Sequence, residues 1–239
     1  MLVTTLQRLA REFTARDIMV PRNKLVCASD EPSARNKLAE NPDFNLIPIE
    51  NASGRLIAFL HRGNERVQTI DVHEHIVGDA TGVLDLVDVL AERPFCFVIV
   101  GRKIDGYIHF SDLSNRIAEM AFYIIIQAVE NYFVERVRPF VTEANLENAL
   151  ENQRANQMKH LMNRLKANRA ELDSLHLLSV RDILKFARLH AGVVLTDTEI
   201  DDIYKVRNAV SHASEPFVQS HDDVRRLLRV KDNCFRILG

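Results

Sequence analysis

The sequence predicts an α+β protein in two parts, a tandem of units that each read strand, helix, strand, strand, short helix, followed by an all-α helical bundle. Three observations predict it. "RLIAFLHRGN" at 55 to 64 recurs loosely as "KIDGYIHFSD" at 103 to 112, a constant offset of 48 that sets His109 on His61 and Asp112 on Asn64. Each copy follows an apolar, β-branched stretch, "NLIPIE" or "FCFVIVG", and a turn at Gly54 or Gly101. Beyond residue 114 glycine and β-rich runs almost disappear, and apolar residues fall into helical spacing.

Within residues 1–113 the repeats run from about 14 to 64 and from 66 to 113. "DEPSARNKLAENP" and "DATGVLDLVDVLAERP" each read as an acidic helix start, an amphipathic helix and a proline stop. Residues 114–239 open with "SNRIAEMAFYIIIQAVENYFVERVR", a helix stopping at Pro139. "NLENALENQRANQMKHLMNRLK" reads as one polar helix with apolar Leu146, Leu150, Met158, Leu161 and Leu165. Ser179 is the expected N-cap of "SVRDILKFARLHAG", which ends at Gly192. Thr196 with Glu199, and Ser220 with Asp223, have capping-box spacing, so about five helices are expected here.

A chain of 239 residues, 46% of them hydrophobic, suits two modest domains with a sizeable core. A net charge of -2 gives no global bias toward nucleic acid or membrane surfaces. Cys27, Cys96 and Cys234 lie far apart and form no CxxC pair, which excludes a disulfide framework or zinc knuckle and suits a reducing cytoplasm. "MLVTTLQRLAREF" carries charges where a secretory apolar core would sit, and the longest strictly apolar run, "MAFYIII", is too short to span a bilayer. The expected location is therefore cytoplasmic, without a membrane partner. "HEH" at 73 to 75 lacks HExxH spacing, so no metal site is expected.

The repeat order, with "ARDIMVP" at 15 to 21 and "GYIHFSDL" at 106 to 113, resembles the cystathionine β-synthase (CBS) domain, two of which pack as a Bateman module. The resemblance covers residues 14 to 113 and implies an adenosine-containing ligand, AMP, ATP or a related adenine nucleotide, in the clefts between repeats. In that family an aspartate at the closing motif takes the ribose hydroxyls, a task that suits a carboxylate because it accepts from two neighbouring groups at once. Asp112 holds that position in the second repeat and the uncharged Asn64 in the first. Where the family has threonine or serine, both repeats have histidine, His61 and His109; Ser111 completes the candidate ligand-binding set. The same histidines also fit a ligand-free dimerisation module in which they fill strand ends.

"RNAVSH" at 207 to 212 matches the R-N-x-x-x-H pattern of the HEPN (higher eukaryotes and prokaryotes nucleotide-binding) superfamily and covers the helical half as a HEPN-like bundle. The resemblance implies a metal-independent endoribonuclease of stress response or defence, acting as a homodimer on RNA, with Arg207, Asn208 and His212 as catalytic residues and no DNA partner. At about 100° per residue Ile200, Ile203, Val206 and Val210 form the core face, Asn208 and His212 point away from it, and Arg207 lies roughly 140° from His212. A distorted last turn, or a second subunit across a two-fold axis, would bring arginine and histidine together. A histidine in a last helical turn and an arginine over apolar neighbours also fit an ordinary surface helix. The helical half, with 18 Lys+Arg against 17 Asp+Glu, is nearly neutral. Arg225, Arg226, Arg229, Lys231 and Arg236 form a modest basic cluster that could track a phosphate backbone, although a solvated helix face is the commoner explanation. The alternative is a non-catalytic nucleotide-binding dimerisation or partner-docking module.

Overall fold

A computed structural model describes residues 2–64, 66–167, 174–211 and 216–239. In chain order the first elements are α1 (Leu2–Ala10), α2 (Ala15–Ile18), β1 (Val20–Pro21), α3 (Glu31–Glu40), β2 (Leu46–Glu50), β3 (Leu56–His61) and β4 (Gln68–Thr69). Then come α4 (Val72–His75), β5 (Ile76–Gly78), α5 (Val83–Glu92), β6 (Phe95–Val100), β7 (Lys103–His109) and α6 (Arg116–Val137). The chain closes with α7 (Glu143–Ala149), α8 (Asn152–Ala167), α9 (Val180–His190), α10 (Asp197–Ser211) and α11 (His221–Leu238). These elements form two compact units, Phe13–Ala118 and a helical one of Met1–Glu12 with Glu119–Gly239. The first twelve residues thus group with the helices; Ala10 is buried there, and the Arg11 guanidinium lies 4.8 Å from the centre of the Phe235 ring.

In Phe13–Ala118, one sheet has the order β1-β7-β6-β5 and the other β2-β3-β4. The second repeat follows the expected order, ending in a 3-10 turn, Phe110–Ser114. In the first repeat the opening strand shrinks to a single parallel bridge between Ala28 and Ile49. The 48-residue offset carries into the pairing: Val20 and Pro21 pair with Tyr107 and Gly106, while Gln68 and Thr69 pair with Phe59 and Ala58. The short segment leading into each repeat therefore completes the sheet of the other. Gly106 permits this crossing, because a Cβ there would run into the Met19 side chain. The β2–β3 and β6–β7 turns use Gly54 and Gly101, both at positive φ, where only glycine is unstrained.

Helix starts follow local chemistry. Asp30 accepts from Ser33 N–H to cap α3, whose second residue is Pro32, and both α3 and α5 end one residue short of the position before a proline. Two apolar clusters form. Ala34 and Leu38 of α3 pack on Ile47, Ile49, Ala58 and Leu60, while Leu46, Leu56, Phe59, Phe95 and Phe97 combine residues of both sheets.

In the helical unit, Phe122, Ile125, Val129, Phe133 and Val137 form the buried stripe of α6 at i+3 and i+4 spacing. Among the described residues α6 with the following turn is the one stretch long and apolar enough to cross a membrane, but half of it is buried inside the protein, as a core helix requires. The single polar helix expected after Pro139 is instead two, α7 and α8. Leu146 and Leu150 sit one turn apart, but the next buried residue, Ala155, follows five positions on. A continuous helix would rotate it off the core face, so the chain breaks at Leu150, which turns extended (φ -118°, ψ 157°). The expected caps form at Ser179, Thr196 and Ser220, each bonded to the acid three residues on. Of the expected core face of α10, Ile200, Ile203 and Val206 are buried and Val210 is half-buried.

Candidate functional site

The second repeat gathers three of the five expected ligand residues on one turn. As β7 ends, Asp112 Oδ2 accepts from the His109 backbone N–H at 2.7 Å, and His109 Nδ1 meets Ser111 Oγ at 2.8 Å. Burial holds the Asp112 carboxyl above its usual range, opposed by that N–H. Burial also pushes the His109 imidazole down, helped by the positive charge that His61 can carry. His61 is thus near enough to act on His109. Asn64 stands apart: it is exposed, and its described bond is from its backbone N–H to His61 O, at 3.0 Å. Among the described residues the first repeat lacks the side-chain cap that Asp112 gives the second.

Aromatic and imidazole rings cluster beside this turn. His61 stacks on Phe95 with centroids 6.0 Å apart, and His75 lies nearly parallel to the same ring at 6.2 Å and edge-on to Phe59 at 5.0 Å. Asp71 holds α4 in place by accepting from His73 and Glu74 N–H, while its own N–H donates to His75 Nδ1 at 2.9 Å. A cleft of about 550 Å³ opens between α4 and α5, lined by Gln68, His73, His75, Asp88, Arg93 and Phe95 among others. None of the five expected residues lines it, although Phe95 links it to His61. Sequence reading missed Phe95 and His75; the "HEH" spacing shows only what is absent, and the ring contacts come from folding. No group of three metal-ligating side chains comes together among the described residues.

In the helical unit, α10 carries Arg207 and Asn208, both half-buried, and His212 lies outside the described residues. Arg207 occupies the core flank that helical angles assign it. Its Nε is buried with no hydrogen-bond partner among the described residues, and its charge acts on Glu130 of α6. Burial raises the Glu130 carboxyl, while Arg207 and a 3.1 Å bond from Gln127 pull it back. Ser211 Oγ donates to Arg207 O at 2.8 Å, tying the last described turn to the arginine. Glu130 was not anticipated, although a glutamate and a glutamine within the apolar α6 run were its available signal.

Each cation of the basic cluster on α11 has a carboxylate neighbour. Arg225 pairs with Asp222 at 2.9 Å, Arg226 with Asp223 at 2.9 Å, and Arg229 with the buried Asp202 at 2.9 Å. Lys231 is itself buried and lies 3.4 Å from Asp232, while Arg236 meets Glu199 at 2.9 Å. Five cations thus face five carboxylates, and three of those acids lie on α11 itself. Two of these pairs, Arg229 with Asp202 and Arg236 with Glu199, tether α11 to α10.

All three cysteines are free, and burial pushes Cys96 and Cys234 up to about 12, which keeps them as inert thiols.

No family model matches this sequence, and no curated protein matches it. Among the solved structures that match, two cover about half of the chain. The CBS domain of the bacterial CNNM/CorC family Mg2+ transporter in complex with ATP shares 17% identity over 50% of this chain and 94% of that one, with a TM-score of 0.36. The CBS domain from that family in complex with the inhibitor IGN95a shares 18% over 48% and 82%, with a TM-score of 0.37. At such identities the likeness assigns no role to any residue.

Proposed function

We propose that Phe13–Ala118 is a paired CBS-type regulatory module that binds an adenine nucleotide, AMP, ATP or a related ligand, at the closing turn of its second repeat. The supporting observation is the state of Asp112. One carboxylate oxygen is committed to the His109 N–H, and Oδ1 has no bond among the described residues, leaving a fixed, partly desolvated acceptor for ribose hydroxyls. Ser111 and His109 stand beside it as groups for the rest of the ligand. Asn64, exposed and uncharged, makes the first repeat the weaker position.

Calorimetry with AMP and ATP tests this directly. Binding is expected, and Asp112→Ala is expected to weaken it by about ten- to a hundredfold, the value of a hydrogen bond to a charged group. Because the ligand needs the ionised carboxylate and burial raises its pKa, affinity rises as pH rises through that pKa and then levels off. Asp112→Asn should flatten the rise. Absence of heat with either nucleotide, or heat unchanged in Asp112→Ala, overturns the assignment.

The helical unit supports a second reading, a metal-independent endoribonuclease half-site of Arg207, Asn208 and His212 completed by a second copy in a homodimer. The observation that favours it is Arg207, a permanent charge kept half-buried near the Glu130 carboxyl, with an Nε that has no bond among the described residues. A guanidinium with spare donors suits a phosphoryl group, and an imidazole suits proton transfer at the 2′-hydroxyl. Coupling to the first module requires that the nucleotide prefer one dimer arrangement over another. RNA incubated in the presence of a chelator should be cleaved by the wild type and on the order of 10²–10⁴ times more slowly by His212→Ala. Equal cleavage by the two proteins sinks the ribonuclease and leaves a nucleotide-controlled dimer or partner-docking protein.

A further inference from the structure

A second concave feature lies in the helical unit, away from the basic cluster of α11. The break between α7 and α8 and the first turns of α9 enclose a cleft of about 320 Å³ lined by Glu151, Arg154, Arg181, Asp182, Lys185 and, from α10, Tyr204. That volume is at the lower end of small-ligand sites, roughly 300–1,000 Å³. Three cations and two carboxylates line it.

The cations are held unequally. Arg154 is fixed by two bonds to buried Asp182, at 3.1 and 2.7 Å, while its Nη1 has no bond among the described residues. Lys185 is 3.3 Å from Glu151, whose side chain is 73% exposed. Arg181 Nε lies 3.0 Å from Asp201 Oδ1, but off the N–H direction, so the pair is ionic without a hydrogen bond and the Nε stays unsatisfied. The two acids reach solvent, with side chains 73% exposed for Glu151 and 40% for Asp201, so an arriving phosphate can take their place. The Arg181 guanidinium also sits 5.8 Å from the centre of the Tyr204 ring.

Tyr204 gives the cleft its direction. It lies four residues before Asn208 on α10, so the two share a face about 40° apart. A cationic wall beside a half-exposed aromatic ring is the combination that holds single-stranded nucleic acid, the charges following phosphates and the ring stacking a base.

We propose that this cleft binds single-stranded RNA, with Arg181, Lys185 and Arg154 on one phosphate and Tyr204 under the adjoining base, next to the nucleotide that Asn208 faces. The proposal rests on the ribonuclease reading and gives it a substrate surface.

A short fluorescein-labelled 2′-O-methyl RNA, which cannot be cut through its 2′-oxygen, measures binding to the full chain by anisotropy. Arg181→Gln with Lys185→Gln should weaken it on the order of tenfold and lower the slope of log Kd against log salt by up to about 0.7, the contribution of the one phosphate they help to neutralise on a single strand. Tyr204→Ala should weaken it about tenfold with the slope unchanged. Arg225→Gln, which removes one charge from the balanced α11 surface, should leave binding as in the wild type. Circular dichroism melting confirms that each variant is folded, and Lys185→Gln alone, with a smaller loss of affinity, serves if the double variant is not. No binding by the wild type, or an unchanged Kd and slope in the folded variants, overturns the cleft. RNA binding lost in the cleft variants without His212-dependent cleavage of natural RNA keeps the cleft and ends the ribonuclease reading. Such cleavage with cleft variants that bind normally does the reverse.

Discussion

Phe97→Ala lowers the stability of the Phe13–Ala118 unit by about 3–5 kcal/mol, the range for removing a fully buried aromatic ring, as read by urea unfolding. Phe97 has no exposed surface and lies among Phe59 at 5.8 Å, Phe95 at 5.9 Å and Tyr107 at 5.7 Å. These rings belong to both sheets, so the cavity left by alanine opens between the two repeats rather than under one helix. The loss therefore spreads to the closing turn, and nucleotide affinity should fall with stability. Ile57→Ala, on the same pair of sheets but 46% exposed, should stay within about 0.5 kcal/mol of the wild type. Equal effects of the two changes would refute the role given to the ring cluster.

Asp182→Ala should cost the helical unit about 3 kcal/mol, the sum of a lost capping box and a half-buried arginine left without its acid. One oxygen of this buried carboxylate accepts from Ser179 N–H and Oγ, both at 2.9 Å, and from Arg154 Nε and Nη2. It fastens the start of α9 to α8, 28 residues earlier in sequence. Asp182→Asn keeps an acceptor but not the charge and should fall between wild type and alanine. Asp222→Ala, which breaks an exposed pair with Arg225, should cost under about 1 kcal/mol. Thermal unfolding that ranks Asp222→Ala with Asp182→Ala would show that the buried network adds nothing.

What could be read from sequence was whatever repeats or recurs at short range. The offset that placed His109 on His61, the glycines of the two hairpin turns and the three capping boxes are local signals, and the fold uses each of them. The α7–α8 break was legible in principle, since the spacing from Leu150 to Ala155 violates helical periodicity, but the polar residues between them mask the slip. The pairing of Arg229 with Asp202, and of Arg154 with Asp182, joins residues 27 and 28 positions apart, so no window along the chain reveals it. That is why a balanced α11 reads as a basic patch. The candidate site divides in the same way: Asp112, Ser111 and His109 share one turn and were legible, whereas Phe95, His75, Glu130 and the cleft at Tyr204 are assembled by packing.

The crossed leading segments carry a consequence for origins. Val20 and Pro21 enter the first repeat yet finish the sheet of the second, and Gln68 and Thr69 do the converse. A solitary ancestor of this unit, with its own leading segment, would have had a bare sheet edge and a strand with no mate. It would have been complete only as a swapped dimer of two identical chains. The present polypeptide has the form of such a dimer fused head to tail, so removing Val20 and Pro21 strips an edge from the sheet of the far repeat.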